Sequence, residues 1–126
     1  MQKRQNAYLV ADAGNTNIKL CEVFEDEISA IEVYNSLENV LSRVNDQDLI
    51  LTSVLDSIVE KRLQEVCRSL FIITHDAHLP FSSAYQSMNT VGIDRLCNIA
   101  GVLKYAKKTN SLSIDIGTCI KFDFIT

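Results

Sequence analysis

At residues 10–19 the sequence reads Val10-Ala11-Asp12-Ala13-Gly14-Asn15-Thr16-Asn17-Ile18-Lys19. An apolar run ends at a carboxylate, a turn begins with glycine, and a second apolar run follows, which predicts a hairpin of strands Tyr8–Ala13 and Ile18–Phe24. The turn also has the groups that a metal-bound phosphate needs: an acid for Mg²⁺, and a glycine that admits backbone N–H groups to phosphate oxygens. An ordinary hairpin has the same composition, so this stretch alone leaves both interpretations open.

The residues after the hairpin alternate between strand and helix patterns. The predicted elements are a third meander strand at 28–34, helix Leu37–Val44, a strand at 49–54, a helix from Ser57, and a strand at 70–74. Asn35 with Glu38 is the expected cap of the first helix, and Ser57-Ile58-Val59-Glu60 has the form of a capping box. The continuously apolar strand at 49–54 is typical of a parallel strand buried on both faces. The order β-β-β-α-β-α-β predicts an α/β fold with a mixed sheet.

The rest of the chain predicts a loop, a helix and a second hairpin. Residues 75–91 are polar and irregular and contain Pro80, the only proline, so we expect a loop or a flap. Apolar residues at helical spacing predict a helix over 93–107. Strands at 112–116 and Ile120–Ile125 flank a glycine turn.

The composition argues against several classes of protein. The chain has 126 residues, a net charge of -4 and no long basic run, which argues against nucleic acid as a partner. No apolar run has membrane-spanning length, and the polar start lacks the pattern of a signal peptide. The four cysteines lie scattered in apolar patterns, which favours buried free thiols over a disulfide or zinc framework: Cys21, Cys67, Cys97 and Cys119. We therefore expect a cytoplasmic protein without a membrane partner.

The stretch Ile114-Asp115-Ile116-Gly117-Thr118 repeats the opening pattern of a strand, Asp-x-Gly and a short polar turn. Two such units separated by an α/β region resemble the actin-like ATPase and sugar-kinase superfamily. Its two related, ribonuclease H-like lobes each present an Asp-Gly-Thr hairpin to a nucleotide. The resemblance implies an N-terminal actin-like lobe at residues 1–110 and the first hairpin of a second, similar lobe at 111–126.

A third motif makes the resemblance more specific, and it reads Tyr85-Gln86-Ser87-Met88-Asn89-Thr90-Val91-Gly92-Ile93-Asp94-Arg95. The chain has D-x-G-N-T near its start, then a tyrosine and V-G-x-D-R before a helix, then D-x-G-T with a further aspartate, Asp123. In this order and spacing the motifs resemble those of type III pantothenate kinases. Thr52-Ser53-Val54 also resembles a Ser-Val segment of that family.

The resemblance implies an enzyme that uses ATP, Mg²⁺ and a monovalent cation, K⁺ or NH₄⁺, to phosphorylate pantothenate in the first step of coenzyme A biosynthesis. It also implies a homodimer. The ATP phosphates would contact Asp12, Ala13, Gly14, Asn15, Thr16, Asn17, Ile18, Lys19 and Thr118, with Asp12 near Mg²⁺ directly or through water. Pantothenate would contact Tyr85, Gly92, Ile93, Asp94 and Arg95. Asp94 would be the catalytic base, and Asp115 would bind the monovalent cation.

General chemistry agrees with these implied roles, and each role also has an ordinary structural alternative. An aspartate can take the proton of a poorly nucleophilic alcohol, and an arginine can fork onto the carboxylate of pantothenate. Asp94 can instead be a helix N-cap, Arg95 a member of a surface ion pair, and Tyr85 a loop aromatic. Lys19 and Lys121 either reach phosphates or lie on strand surfaces, and both interpretations stay open.

The sequence departs from the family pattern at several positions and in length. Met88 stands where members commonly have proline, and Cys119 and Lys121 replace small residues after Asp-x-Gly-Thr. Members of the family are considerably longer and have a later adenosine-binding stretch. We therefore expect a partial enzyme that by itself binds ATP poorly and has no kinase activity.

Two other functions compete with this interpretation. One is a non-catalytic accessory factor for transcription, a role described for some members of the family. Keeping Asp12, Asp94 and Asp115 together argues against it, because a scaffold does not need all three acids. The other is a different actin-like enzyme, such as a sugar kinase or a polyphosphate phosphatase, against which the Val91-to-Arg95 segment argues.

Overall fold

The computed structural model describes residues 6–54, 56–106, 110–117 and 119–126. The chain divides into two compact units, Met1–Ile73 and Thr74–Thr126. The first contains β1 (Tyr8–Ala13), β2 (Ile18–Phe24), β3 (Glu27–Ile28), β4 (Glu32–Tyr34), α1 (Leu37–Val44), β5 (Asp48–Ser53), α2 (Ser57–Val66) and β6 (Ser69–Ile72). The second contains α3 (Ile93–Tyr105), β7 (Ser111–Ile116) and β8 (Ile120–Ile125), with a short 3₁₀ helix, Met88–Thr90, before α3.

The Met1–Ile73 unit is built on a six-stranded sheet with the order β3-β2-β1-β5-β6, in which β4 also pairs with β2. β1 is antiparallel to β2 and parallel to β5, and β5 is parallel to β6. This mixed sheet, with three helices in the described chain, confirms the predicted α/β class. A hairpin can join antiparallel strands directly, whereas the parallel β5 and β6 require α2 as a crossover.

The core of this unit lies on one face of the sheet. Leu9, Ala11 and Ala13 alternate along β1 and are buried with side chains from α1 and α2. In β5, Leu49 and Leu51 are buried while Ile50 between them is only half-buried. The expectation that this strand is buried on both faces was therefore wrong for this chain, because the helices cover a single face.

The predicted third strand at 28–34 is interrupted, and Ser29 provides the reason. β3 pairs with the end of β2, and β4 pairs with its beginning. Between them the backbone N–H of Glu22 donates to the Ser29 hydroxyl at 2.9 Å. A side-chain oxygen thus replaces a backbone carbonyl as the acceptor, which ends the ladder.

Both predicted helix caps were wrong by one residue. The N-cap of α1 is Ser36, without a side-chain hydrogen bond, and not Asn35. The N-cap of α2 is Asp56, whose Oδ1 accepts the N–H groups of Ile58 at 2.9 Å and Val59 at 3.2 Å. An aspartate at this position satisfies two helix donors that have no partner within the helix, so the capping box from Ser57 is not needed.

The Thr74–Thr126 unit packs α3 against the β7–β8 hairpin, around a small core of Val91, Leu96 and Ile125. The segment before α3 is irregular apart from the 3₁₀ helix, as predicted. α3 ends at Tyr105, and residue 107, the predicted end, lies outside the described residues. The expected lobe boundary at residue 110 stays a prediction, because the compact units divide after Ile73.

None of the four cysteines is part of a disulfide, as predicted. Cys21, Cys67 and Cys97 are half-buried, whereas Cys119 is exposed, so its predicted burial was wrong. Burial raises the pKa of the Cys21 and Cys67 thiols and keeps both protonated at neutral pH. Among the described residues, no helix combines the length and the apolar character that crossing a bilayer requires.

The two candidate caps of α2 can be distinguished by a matched pair of alanine variants. We expect Asp56→Ala to lower the free energy of unfolding by about 1 kcal/mol, because two N–H groups lose their acceptor. Ser57→Ala should change it little, since alanine is the better helix former. Urea unfolding of both variants measures the difference, and an equal loss in the two would contradict Asp56 as the cap.

Candidate functional site

Asp12 lies near the carboxyl end of β1, where the register pairs it with Lys19 of β2 and Thr52 of β5. The Thr52 hydroxyl donates to Asp12 Oδ1 at 2.9 Å. The alternation that buries Ala11 and Ala13 places Asp12 on the opposite, exposed face. The carboxyl ends of parallel strands commonly bind ligands in α/β sheets, so Asp12 is well placed to hold one.

The turn after β1 is closed by one backbone hydrogen bond, from the Gly14 N–H to the Asn17 carbonyl at 3.1 Å. A cavity of about 180 Å³ lies beside it, lined by the turn, the start of α1, Tyr34 and Val59. This volume is below the roughly 300 Å³ at which pockets begin to hold drug-sized molecules. It therefore suits a small group such as a phosphate better than a whole nucleotide.

The structure divides the predicted phosphate-binding residues into two groups. Ala13 and Ile18 are buried in the core, and the Ala13 carbonyl already accepts the Val54 N–H at 3.1 Å. The exposed side chains of this stretch are those of Asp12, Asn15, Thr16 and Lys19. Phosphate contacts from residues 12–19 would therefore come from the side chains of Asn15, Thr16 and Lys19 and from backbone N–H groups, whereas Asp12 would act on phosphate only through Mg²⁺.

In the Thr74–Thr126 unit, the first turn of α3 forms two neighbouring ion pairs with β8. Lys121 Nζ donates to Asp94 Oδ2 at 2.7 Å. Arg95 Nε donates to Asp123 Oδ2 at 3.0 Å, and its Nη2 donates to Asp123 Oδ1. The helix presents an acid and then a base, and alternate residues of the strand present a base and then an acid.

Lys121 has a second carboxylate partner. Its Nζ lies 3.3 Å from Asp115 Oδ2, across the β7–β8 hairpin, where the register places the two residues directly opposite each other. One ammonium group thus bridges the predicted catalytic base and the predicted cation ligand. The two ion pairs, together with Asp115, are called the α3–β8 charge cluster below.

The contacts within the charge cluster shift the pKa values of Asp94, Arg95 and Lys121. Burial opposes the charge on Asp94, but the hydrogen bond from Lys121 and the N–H of Arg95 outweigh it and lower the pKa of Asp94. The hydrogen bond to Asp94 raises the pKa of Lys121, and the bond to Asp123 raises that of Arg95. Asp94, Arg95 and Lys121 are therefore charged at neutral pH.

Gly92 allows the Asp94 carboxylate to lie close to the backbone before α3. A Cβ added at Gly92 would meet Asp94 Oδ1 at 2.3 Å, which is too short for any real contact. Its φ of -58° is open to any residue, so a side chain at this position would conflict with the space of the Asp94 carboxylate and not with the backbone angles. Gly101, in the same helix, has no heavy atom within 4 Å of such a Cβ.

Arg95 also borders a cavity of about 710 Å³ in this unit. Its guanidinium carbon lies 5.8 Å from the centre of the exposed Tyr85 ring, within range of a cation–π contact. The other lining residues are mainly apolar and include Phe81, Val91, Leu96, Ile99 and Phe124. The cavity therefore suits a small amphipathic molecule that carries a negative group near Arg95.

The structure brings together most of the residues predicted for the substrate and the cation. Tyr85, Arg95, Asp94, Gly92 and Asp115 lie around the start of α3 and the β7–β8 hairpin. The role of Asp94 as an N-cap was wrong, because Gly92 holds that position. The ion-pair alternative for Arg95 is confirmed, although the pair is largely shielded from solvent and not superficial. Thr118 lies outside the described residues.

Sequence reasoning gave no role to Asp123 and left Lys121 open. A usable signal was present in β8, where Lys121 and Asp123 alternate with Phe122 and Phe124. Such alternation indicates one polar and one apolar face. The matching alternation of Ser113 and Asp115 in β7 would have placed these polar residues together.

Two candidate ion sites can be compared with the residues present. No group of three or more potential metal ligands occurs among the residues that the structure describes. Asp12, with one carboxylate supported by Thr52, fits Mg²⁺ held through water and substrate phosphates. Asp115 does not fit a free monovalent cation, because the Lys121 ammonium already lies at its carboxylate.

Comparison with known proteins places these features in a family. The sequence pattern of type III pantothenate kinases matches residues 8–126. A type III pantothenate kinase of Flavobacterium johnsoniae is 37% identical, over 93% of this chain and 51% of its own length. Those of Azobacteroides pseudotrichonymphae and Flavobacterium psychrophilum are 32% and 27% identical, over 94% and 93% of this chain. The chain spans about half the length of the curated relatives it matches.

Replacing glycine by alanine should have opposite effects on the free energy of unfolding at Gly92, which lies close to the Asp94 carboxylate, and at Gly101, which does not. Gly101→Ala should raise the free energy of unfolding by about 0.5–1 kcal/mol, because a helix gains alanine without a clash. Gly92→Ala should lower it, because the methyl group displaces the Asp94 carboxylate from Lys121. Thermal or urea unfolding gives both values.

A double-mutant cycle separates the clash from any loss of helix capping at Gly92. In an Asp94→Ala background the cost of Gly92→Ala should fall, because the oxygen that meets the methyl group is absent. A cost that is equal with and without the carboxylate would attribute the effect to capping and contradict the contact.

The lowered pKa of Asp94 predicts a pH-dependent contribution to stability. Its ionised form stabilises the fold above the ordinary value of about 4, and this contribution is lost as the pH falls through the lowered pKa. We expect Lys121→Met to lower the free energy of unfolding by about 1 kcal/mol or less at neutral pH, since Asp94 is partly exposed. The difference from the wild type should shrink in strong acid.

Denaturant unfolding at a series of pH values measures this difference. Lys61→Met, which removes an exposed lysine of α2, serves as the matched control. If the effect of Lys121→Met were the same in strong acid as at neutral pH, packing and not charge would explain it.

Proposed function

The chain belongs to the type III pantothenate kinase family, and from this we propose that it forms part of an enzyme that transfers a phosphoryl group from ATP to pantothenate. The acceptor is the primary hydroxyl of pantothenate, and the reaction is the first step towards coenzyme A. The observation that carries the proposal is the first turn of α3, which holds the Asp94 carboxylate ionised and whose next residue, Arg95, lines a cavity of matching chemistry.

Asp94 is the proposed general base. In phosphoryl transfer most of the catalysis is positioning and charge neutralisation, and the alcohol proton becomes acidic only as its oxygen approaches phosphorus. A carboxylate of lowered pKa is ionised before the substrate arrives and can accept a proton at that late stage. Gly92 supports this role because it leaves room for the carboxylate.

The 710 Å³ cavity, which Tyr85 and Arg95 line, is the proposed pantothenate site. The further contacts of pantothenate with Gly92 and Ile93 are proposed from the resemblance alone. Arg95 uses Nε and Nη2 on Asp123 and also interacts with Tyr85, and its positive charge would attract the carboxylate of pantothenate. The apolar lining suits the aliphatic part of this substrate, and the Tyr85 ring beside the guanidinium can close over it.

The β1–β2 turn is the proposed phosphate-binding part. Asn15, Thr16 and Lys19 would donate to phosphate oxygens, together with backbone N–H groups of residues 13–19. Asp12 would hold Mg²⁺ through water, and the ion would neutralise phosphate charge when bound. The remaining ATP contact proposed from the resemblance is Thr118.

The wider setting of the reaction is also proposed from the family. The enzyme acts as a homodimer. The four cysteines form no disulfide, which agrees with the cytoplasm as its compartment. The net charge of -4 disfavours nucleic acid as a partner. The regulatory and sugar-kinase alternatives gain no support from the matched relatives, which are named type III pantothenate kinases. The roles of a monovalent cation and of Asp115 are considered in the next subsection.

The proposed base is tested by Asp94→Asn in the whole protein that contains this chain. We expect turnover in a pantothenate-dependent ADP-release assay to fall by about 10²–10⁴-fold, with a smaller change in KM, because binding groups remain while proton transfer is lost. Asp76→Asn, at an exposed loop carboxylate, is the matched control. Turnover of Asp94→Asn near that of the wild type would contradict the role.

A second measurement separates pantothenate from other substrates. Pantothenate, but not a panel of sugars, should raise the melting temperature, because ligands that bind the folded state stabilise it by mass action. Stabilisation by a sugar alone would favour a different actin-like kinase.

A further inference from the structure

We propose that the Lys121 ammonium group is a tethered cation, which takes the place of a free potassium or ammonium ion between Asp94 and Asp115. Its consequence for catalysis rests on the proposed kinase function. The binding part of the inference rests only on the α3–β8 charge cluster. Lys121 is here a positioning residue, because it acts through the two carboxylates that it holds.

The fold brings the two acids to one ammonium group from different elements. Asp115 lies opposite Lys121 in the β7–β8 register, and Asp94 comes from the first turn of α3, which packs on the same hairpin. The nitrogen lies 2.7 Å from Asp94 Oδ2 and 3.3 Å from Asp115 Oδ2. The shorter distance is that of a charge-assisted hydrogen bond, and the longer one is an ion pair.

Electrostatics explains why a cation is needed at this point. Two carboxylates held near a common point repel each other, and the repulsion grows where solvent is partly excluded. A single positive charge between them converts the repulsion into two attractions. An ammonium group and a potassium ion have similar size and equal charge, so either can occupy such a position.

The covalent attachment of the Lys121 ammonium group decides which cation occupies the position between the two carboxylates. Lys121 is part of the chain, so its ammonium is present at a local concentration that a free ion in millimolar amounts does not match. A potassium ion at Asp115 would have to displace the ammonium or lie beside it. Arg95, the other cation of the cluster, is held by Asp123 and adds to the repulsion that an extra ion would meet.

The inference predicts that the chain does not respond specifically to monovalent cations. Melting temperatures of the 126-residue chain should be equal in potassium, ammonium and choline chloride at matched ionic strength. Choline is too large to enter the position and controls for ionic strength. A melting temperature of the wild type that is specifically higher in potassium or ammonium chloride would overturn the inference.

Replacing Lys121 should create a response of the melting temperature to monovalent cations that the wild type lacks. Lys121→Ala should melt at a lower temperature in choline chloride and recover saturably with ammonium or potassium chloride. At ten times the dissociation constant we expect a rise of about 2–6 °C. Lys61→Ala, at an exposed lysine of α2, should show no ion-specific change.

A merely structural role of Lys121 would give a loss of stability that ammonium does not reverse, and this outcome would overturn the inference. Lys121→Gln is the second variant, because it keeps most of the side-chain volume and should gain less from free ions than Lys121→Ala. If neither variant folds, the measurement on the wild type still decides.

Turnover of the whole protein separates the inference from the proposed function. Wild-type pantothenate phosphorylation should be unchanged when potassium chloride replaces choline chloride, whereas Lys121→Ala should require ammonium or potassium. A wild-type kinase that needs potassium would contradict the tethered cation and leave the function intact. A protein that phosphorylates no pantothenate in any of these salts would contradict the function, while the melting data would still test the cation.

Discussion

Successive side chains of a β-strand point to opposite faces, and this constraint arranges the chemistry in both units of the chain. In β1, Ala11 and Ala13 are buried under the helices, so Asp12 between them must lie on the exposed face beside Thr52. In β8, Lys121 and Asp123 face α3, and Phe122 is exposed on the other side. A shift of one residue in either register would exchange these faces, so the candidate sites depend on the same pairing that forms the core.

The two ion pairs between α3 and β8 connect the stability of the Thr74–Thr126 unit with its proposed chemistry. Arg95 and Asp123 have side chains only 19% and 13% exposed, so the loss of one partner should cost more than the roughly 0–1 kcal/mol of a solvent-exposed pair. The hydrogen bonds from Lys121 and from the Arg95 N–H keep Asp94 ionised even though burial opposes its charge. The contacts that hold α3 on the hairpin therefore also set the protonation state of the proposed base.

Elements with strong local patterns were predicted residue by residue. β1, β2 and α1 have the bounds expected from apolar periodicity, which depends only on neighbours in the sequence. Two of the failures, in the third strand and at the start of α2, have a common cause, the choice among several polar groups that could serve one backbone donor. Ser29 interrupts the third strand through its hydroxyl, and Asp56 caps α2 in place of Ser57. Periodicity cannot make that choice, because it depends on which oxygen has the shorter reach to the N–H group.

The candidate site shows the same division between local pattern and packing. The α/β class, the glycine turn after Asp12 and the motif around Asp94 follow from residues close together in the sequence, and a pattern of neighbours is enough to identify them. The partners of the charged groups do not follow in this way. Asp94 and Lys121 are 27 residues apart, and Arg95 and Asp123 are 28 apart. They meet only because α3 packs across the β7–β8 hairpin in one register, and the free energy of that packing is shared among all the contacts of the unit.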